Sequence, residues 1–175
     1  MRKKRPGREE GAAGEAPDAR AAALGLLARR SHTTRELSQK LTRRGLSSSE
    51  ISSVIQELVS QGYVDDSATA AAVAARQAGK GRGKARIAAE LSARGVSRAD
   101  RDRALAGLDP DAEQAALRRS LERKARTLPA GLTRQTRSKK LFDHLVRRGF
   151  APAAVREALQ RKGETADDDF PGVDV

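Results

Sequence analysis

The 175-residue chain carries a net charge of +12, with 38% hydrophobic and 33% charged residues, which is too polar for a single deep core. The absence of cysteine excludes disulfides, thiolate metal sites and a cysteine nucleophile, and is typical of a reducing compartment. Because no apolar run approaches the roughly 20 residues of a membrane span, we expect a cytoplasmic protein without membrane contact.

The first segment of the chain, residues 1–18, is rich in Gly, Ala, Pro and charge and has no periodic apolar pattern. This composition predicts a disordered tail. Four basic residues at its start have the charge to contact phosphates, although a solvated tail without any ligand explains them equally well. These residues are Arg2, Lys3, Lys4 and Arg5.

Residues 19–64 are predicted to form a first module of three helices. Apolar residues at helical spacing indicate a first helix that ends near Arg30. Two capping-box motifs, Thr33–Glu36 and Ser47–Glu50, start the second and third helices. Gly45 follows the last turn of the second helix, at a position that favours glycine because it requires a positive φ.

Residues 65–108 are predicted to repeat this arrangement as a second module. Asp65 and Asp66 lie at the start of an alanine-rich helix, where carboxylates cap exposed backbone amides. The middle helix of this module is predicted to run to Arg94, with Gly95 as its cap. The same order of helix, hinge glycine and helix therefore appears in both modules.

Residues 109–163 are predicted to form a third module, with Pro110 preset for the first turn of a long helix. A break at Pro129–Gly131 separates this helix from a second one, which Gly149 terminates. Residues 164–175 are acidic and are predicted to be a second disordered tail.

The three modules share one spacing of apolar residues around Gly45, Gly95 and Gly149, which lie 50 and 54 residues apart. Apolar residues recur eight and four positions before each glycine, and one and ten positions after it. Six positions after the glycine, the second copy has Arg101 where the others have Ile or Val, so its packing must differ there. A period of this length is the signature of a helical repeat, and the sequence therefore predicts an all-α array of three-helix modules.

Candidate catalytic and metal-binding residues are sparse. The segment Gly79–Lys84 looks like a phosphate-binding loop, but no apolar strand precedes it and Ala follows the lysine, so we interpret it as a flexible basic linker. His32 and His144 are far apart, and neither has a second histidine at helical spacing. Capping explains Asp65 and Asp66 without a metal or acid–base role. We predict a protein that is not an enzyme and has no cofactor or metal site.

The basic residues are the candidates for function. Residues 20–163 contain 30 Lys and Arg against 14 Asp and Glu, an excess of +16 that favours an anionic partner over solubility alone. Arginines precede all three hinge glycines, where they either stabilise the helix dipole or form a row along one side of the array. The candidate binding residues are Arg43, Arg44, Lys80, Arg82, Lys84, Arg86, Arg94, Lys139, Lys140, Arg147 and Arg148.

The sequence does not favour base-specific reading of DNA. Each helix that follows a hinge carries mixed charge, which is unsuitable for a major groove, although a hinge glycine is typical of helix-turn-helix motifs. Stacking of unpaired bases requires aromatic side chains, which make up 2% of the chain. We expect phosphate contacts without sequence readout.

Two motifs of the chain are specific in their spacing, Gly62–Asp66 and Gly83–Leu91, and they are accompanied by Leu26–Arg30, Arg94–Val96 and Arg147–Phe150. Over about residues 20–162 these motifs resemble the RecX family, bacterial regulators of the recombinase RecA. One departure lies at Ala68 and Thr69, where the family usually has a basic residue and Phe, which weakens the expected anchoring of that helix.

The resemblance implies an elongated, curved array of three tandem three-helix repeats that binds the RecA–DNA filament along its groove. It also implies inhibition of strand exchange, ATP hydrolysis and the co-protease activity that triggers the SOS response to DNA damage. We expect a monomer that contacts the RecA filament, and both single- and double-stranded DNA through phosphates. The alternative is a stand-alone nucleic-acid-binding protein without sequence specificity.

Overall fold

In the computed structural model, residues 18–164 are described, and within this range the chain forms nine α-helices and no β-strand. The predicted tails, residues 1–18 and 164–175, lie outside the described residues except for Asp18 and Glu164. The helices are α1 (Ala19–Leu27), α2 (Thr34–Thr42), α3 (Ser48–Ser60), α4 (Asp66–Gly79), α5 (Lys84–Ala93), α6 (Arg98–Ala106), α7 (Pro110–Arg126), α8 (Arg134–Arg147) and α9 (Pro152–Arg161).

Both predicted capping boxes of the first module are present. The Thr33 hydroxyl accepts a hydrogen bond from the Glu36 amide, and the Glu36 carboxylate accepts one from the Thr33 amide. Ser47 and Glu50 make the same reciprocal pair at the start of α3. These side chains satisfy amides that have no partner inside the helix, so the sequence itself fixes where α2 and α3 begin.

The hinge glycines end the middle helix of each module in the left-handed region. Gly45, Gly95 and Gly149 have φ values of +85°, +79° and +90°, which favour glycine because it has no Cβ. The residue after each glycine donates its amide to the carbonyl of the leucine four positions before the glycine, at 3.1 to 3.4 Å. This bond is typical of a Schellman cap, and it turns the chain back into the next helix.

Each module has its own apolar core. The residues eight and four positions before each hinge glycine are fully buried, and the residues just after the glycines are buried at 2 to 7% exposure. Each fully buried leucine or isoleucine stabilises its module by about 1.5–3 kcal/mol. The six fully buried residues are Leu37, Leu41, Ile87, Leu91, Leu141 and Leu145.

The second module packs differently from the other two, as its sequence predicts. Arg101 is half-buried and its guanidinium donates to the Ser92 hydroxyl, while Ala104 fills the core position at 8% exposure. Thr69 is buried at 6% in the alanine-rich α4. Small side chains on α4 let it lie close against α6 and α5.

The three cores are separate. The modules are joined in a row, because the N-terminal end of one middle helix contacts the hinge that ends the middle helix of the next module. Hydrogen bonds link α2 of the first module to the second module, and α5 of the second module to the third. Each module is therefore a unit that packs on its neighbour, as in other helical repeats. Among the helices of residues 18–164, none is long and apolar enough to cross a membrane.

Candidate anion-binding surface at the module junctions

The junction between modules 1 and 2 places the hinge of module 2 on the start of α2. The Thr33 hydroxyl donates to the carbonyl oxygen of Arg94 at 2.7 Å. A Cβ added to Gly95 would lie 2.1 Å from Cδ of Arg35. The second hinge glycine therefore serves two purposes, since it adopts a positive φ and also allows the close approach of the preceding module.

The junction between modules 2 and 3 repeats this contact at the start of α5. The Gly83 amide donates to the carbonyl oxygen of Arg148 at 2.9 Å, and the Ala85 amide donates to that of Gly149 at 3.1 Å. A Cβ added to Gly149 would lie 2.3 Å from the backbone nitrogen of Arg86. The backbone of each later hinge thus docks on the first turn of the preceding middle helix.

A carboxylate from the following module caps each of these first turns. Asp66 accepts from the Thr34 amide and hydroxyl, both at 2.8 Å. Glu113 accepts from the Lys84 amide at 3.2 Å, and its carboxylate lies 3.6 Å from the lysine Nζ. The sequence predicted that Asp65 and Asp66 cap their own helix, which Asp65 does through the Ala68 amide. Asp66 instead caps α2, across the junction.

The Arg94 guanidinium is neutralised at the first junction. It contacts Glu36 at 3.2 Å and Glu90 at 3.0 Å. Burial alone would raise the pKa of Glu36, but hydrogen bonds from Arg30 and the Thr33 amide, with the charges of Arg30 and Arg94, lower it. Arg94 therefore holds modules 1 and 2 together. Its charge is balanced by two carboxylates, so it attracts an external anion only weakly.

Arg148 occupies the matching position at the second junction but has no carboxylate partner among the residues described. Its guanidinium donates to the carbonyl oxygens of Lys80 and Gly81, at 3.1 and 2.9 Å. Burial lowers the pKa of Arg148, and the charges of Arg123 and Arg82 lower it further. We call Arg82, Arg123 and Arg148 the arginine cluster.

His144 on α8 shows that the positive field extends beyond the arginine cluster. Burial lowers the pKa of His144, and the charges of Lys124, Arg148, Arg147 and Arg123 lower it further, in that order. These cations come from the last turn of α7 and the end of α8. Cations this close together repel one another, and an anion bound among them would relieve that repulsion.

The candidate binding residues around the second junction have different surroundings. Arg82 and Arg148 belong to the arginine cluster, and the exposed Arg147 lies near it through His144. Lys84 pairs with Glu113, and Lys80 supplies a backbone carbonyl to Arg148.

The other candidates lie on the remaining parts of the array. Arg86 packs on Gly149, and the Arg44 guanidinium donates to the carbonyl oxygen of Ala22 at 3.2 Å. Arg43, Lys139 and Lys140 are exposed. Their part in binding stays a prediction.

Sequence reasoning missed Arg123 and Lys124. The available signal was the basic last turn of α7, where Arg123, Lys124 and Arg126 lie within four residues. That run is also what a helix C-terminus favours for its dipole, so the sequence alone did not distinguish it from an ordinary helix end. The distance between residues 123 and 148 along the chain hides their proximity.

The described residues contain no arrangement typical of a metal or nucleotide site. Within residues 18–164, no group of three or more His, Asp and Glu is placed to hold a metal ion. His32 is 3% exposed, and its Nδ1 lies 3.5 Å from Glu36 without hydrogen-bond geometry. The Gly79–Lys84 segment runs from the last residue of α4 to the first residue of α5, so a helix rather than a strand precedes it. It is not a flexible linker, because Gly81 and Gly83 are hydrogen-bonded to Arg148.

These features define a helical-repeat protein with a basic junction between its second and third modules. Three family models match the chain, and they describe the first, second and third three-helix domains of RecX, at residues 19–58, 65–105 and 111–159. The chain belongs to the RecX family. The family resemblance and the repeated helical fold expected from the sequence are confirmed.

Individual relatives and solved structures agree with this assignment. The chain is 38% identical over 157 residues to the "Regulatory protein RecX" of Halorhodospira halophila, covering 89% of this chain and 94% of that one. It is 34% identical to the protein of the same name from Xanthomonas citri, covering 79% and 83%.

The structural neighbours show the fold. The crystal structure of RecX from Lactobacillus salivarius superposes with a TM-score of 0.75 at 19% identity, covering 84% of this chain and 96% of that one. A second neighbour, described as a crystal structure of regulatory protein RecX, has a TM-score of 0.72 at 20% identity, covering 81% and 70%.

Proposed function

We propose that this protein is a cytoplasmic, monomeric regulator of the RecA recombinase that binds the RecA–DNA filament along its groove. It inhibits strand exchange, ATP hydrolysis and co-protease activity by occupying the filament, without catalysing a reaction. Membership of a family whose members are named regulatory proteins supports the regulatory role. The anionic partner is inferred from the arginine cluster at the second junction, where the guanidinium groups of Arg148 and Arg123 both lie within 4 Å of the Cβ position of Gly81.

The chemistry of the arginine cluster suits phosphate better than carboxylate-rich protein alone. Guanidinium groups form paired hydrogen bonds to phosphate oxygens. The cluster surrounds Gly81, since a Cβ added there would lie 3.4 Å from Nη2 of Arg148 and 3.9 Å from Nη2 of Arg123. Phosphate contacts carry no sequence information, which fits a regulator that must act wherever a filament has formed.

The array of modules suits a partner that repeats along an axis. The three modules have separate cores, and each carries exposed basic residues, among them Arg43, Arg86 and Arg147. Linked contacts bind with a higher effective concentration than isolated ones, provided that the geometry allows them to engage together. A filament offers such repeated sites, whereas a short DNA fragment offers phosphates only.

Co-sedimentation with RecA filaments on single-stranded DNA tests this proposal. We expect the protein to pellet with the filaments, and the double variant Arg82→Gln/Arg123→Gln to pellet at least several-fold less. A matched variant, Arg98→Gln/Arg161→Gln, loses the same charge from exposed ion pairs and should pellet like the native protein. A native protein that stays in the supernatant contradicts the proposal.

The alternative is a nucleic-acid-binding protein that acts alone, and the same arginine cluster favours it. It predicts tight binding to labelled DNA without RecA, with an affinity that falls steeply as salt rises. Our proposal predicts that RecA on the DNA strengthens binding at a fixed salt concentration. Equal affinity for bare DNA and for filaments would favour the alternative.

A further inference from the structure

The first junction contains a carboxylate that bridges arginines of two modules. The Glu36 carboxylate lies 3.4 Å from the guanidinium of Arg30, in its own module, and 3.2 Å from that of Arg94, in the next module. Arg94 directly precedes the hinge glycine of module 2. An anion that belongs to the chain therefore balances the arginine of that hinge and ties the two modules together.

The equivalent position in the second module carries an arginine instead. Glu36 is the third residue of α2, and Arg86 is the third residue of α5. Arg148 directly precedes the hinge glycine of module 3, as Arg94 precedes that of module 2. The pair of opposite charges at the first junction thus corresponds to Arg86 and Arg148, two charges of the same sign, at the second.

Cations from both modules meet at the second junction. Arg123 on α7 and Arg148 at the end of α8 belong to module 3, and both have a guanidinium nitrogen within 4 Å of the Cβ position of Gly81. Arg82, in the segment between α4 and α5, belongs to module 2, and its charge lowers the pKa of Arg148. These like charges repel one another across the junction.

The nearest carboxylates already have other partners. Glu113 is paired with Lys84 at 3.6 Å. The charge of Arg82 reaches Glu90, but that carboxylate is paired with Arg94 at 3.0 Å. The exposed Arg123 has no ion-pair partner among residues 18–164. Within this part of the chain, the second junction therefore lacks a counterpart of Glu36.

We propose that a phosphate group binds within the arginine cluster, takes the part that the Glu36 carboxylate has at the first junction, and locks module 3 on module 2. It bridges Arg82 of one module to Arg123 and Arg148 of the other. Several guanidinium groups suit phosphate because its oxygens accept paired, charge-assisted hydrogen bonds. Inorganic phosphate and the backbone of DNA offer the same group.

This inference deepens the proposed function, since it rests on the arginine cluster as a phosphate contact. It adds that binding and docking favour each other: phosphate stabilises the closed junction, and the closed junction binds phosphate more tightly. An array that closes on phosphate is then held in one arrangement only where phosphates are present.

Amide hydrogen exchange of the full chain, resolved by NMR without RecA, tests the inference. The Gly83 and Ala85 amides donate across the second junction to the carbonyls of Arg148 and Gly149, so their exchange reports the opening of this junction. Inorganic phosphate replaces chloride at constant pH and ionic strength. Exchange of both amides should slow about three-fold when phosphate is at twice its dissociation constant.

The Thr34 amide is the internal control, because it donates to Asp66 across the first junction at 2.8 Å and should keep its rate. Arg123→Gln removes one of the repelling cations. In this variant the Gly83 amide should exchange more slowly than in the native chain before phosphate is added, and phosphate should slow it little further. Arg118→Gln removes an exposed arginine of the same helix that bonds Gln114, and it should behave like the native chain.

A short oligothymidylate as a second probe distinguishes the source of the phosphate group. Slowing by inorganic phosphate shows that a free anion suffices, and slowing by the oligonucleotide alone shows that DNA supplies the group; both results support the inference. Unchanged rates for the Gly83 and Ala85 amides with both probes overturn it, with phosphate taken to about 50 mM, well above a millimolar dissociation constant.

Two other results also overturn the inference. One is equal slowing of the Thr34 amide, which would reflect general stabilisation by an excluded salt. The other is an Arg123→Gln variant that responds to phosphate as the native chain does. If the native protein still pellets with RecA filaments in either case, the proposed function stands and only the lock at the second junction is wrong.

Discussion

Gly83 and Gly149 meet backbone to backbone, so that a Cβ on Gly83 would lie 2.2 Å from the carbonyl oxygen of Gly149. The Gly83 amide also donates to the neighbouring Arg148 carbonyl at 2.9 Å. This contact fixes module 3 on module 2, and with it the position of Arg148 in the arginine cluster. Packing between modules and the candidate binding surface therefore depend on the same glycine pair.

The first prediction concerns this glycine pair. Gly83→Ala should lower the free energy of unfolding by about 1–3 kcal/mol, because a side chain forced into a close backbone contact displaces its neighbours. Urea denaturation measures the effect. Gly79→Ala is the matched control, since nothing lies within 4 Å of its Cβ position and its φ is not positive. A Gly83→Ala variant as stable as this control contradicts the assigned junction.

A second prediction separates the two purposes of a hinge glycine. Gly45 and Gly95 both have positive φ, but only a Cβ on Gly95 would collide with the preceding module, at Arg35. Gly45→Ala should cost about 1–2 kcal/mol from backbone strain, and Gly95→Ala should cost more.

Thermal or urea unfolding of the double variant Arg35→Ala/Gly95→Ala completes this comparison. Removing the Arg35 side chain beyond Cβ should relieve part of the extra cost at Gly95, giving a coupling energy of about 0.5 kcal/mol or more. Purely additive effects would mean that the collision does not determine the stability of this junction.

Much of each module follows from local sequence. The burial of Leu37 and Leu41 and the capping box of Thr33 and Glu36 were predicted from spacing, because helical period and cap chemistry act within a few residues. The boundaries were less accurate, since α1 ends at Leu27 rather than near Arg30. Helix ends depend on tertiary contacts that local spacing does not contain.

The junctions were not predictable in the same way. The sequence shows an arginine before each hinge glycine, but not that Arg94 meets Glu36 while Arg148 meets Arg123. Arg94 and Glu36 lie 58 positions apart and come together only when neighbouring modules pack. Arg148 and Arg123 lie 25 positions apart and come together when α7 packs on α8 within the third module. The second role of Asp66, as a cap for α2, was missed for the same reason.

A third prediction assigns a phosphate contact to Arg123. Arg123→Gln should weaken binding to single-stranded DNA by about three- to ten-fold, and should reduce the slope of log affinity against log salt by about 0.7. Fluorescence anisotropy over a series of salt concentrations gives both values. Arg161→Gln removes the same charge from an exposed pair with Glu157. If the two variants lose equal affinity, overall charge rather than the cluster explains binding.

A fourth prediction concerns how the free energy of unfolding depends on pH. Burial lowers the pKa of His32 and His144 below the ordinary value of 6.5. The unfolded chain therefore takes up protons first as the pH falls through 6.5, so the free energy of unfolding should decline between about pH 7 and 5.5. Urea unfolding across this range should show a smaller decline for His144→Gln than for the native chain. Identical declines would mean that His144 titrates alike in both states.

The most direct test of the central claim is ATP hydrolysis by RecA on single-stranded DNA. Adding the native protein at a stoichiometry near that of RecA should slow hydrolysis several-fold, because the proposed regulator occupies the filament. Arg82→Gln/Arg123→Gln should restore most of the rate, whereas Arg98→Gln/Arg161→Gln should inhibit like the native protein. Unchanged hydrolysis in the presence of the native protein would contradict the account.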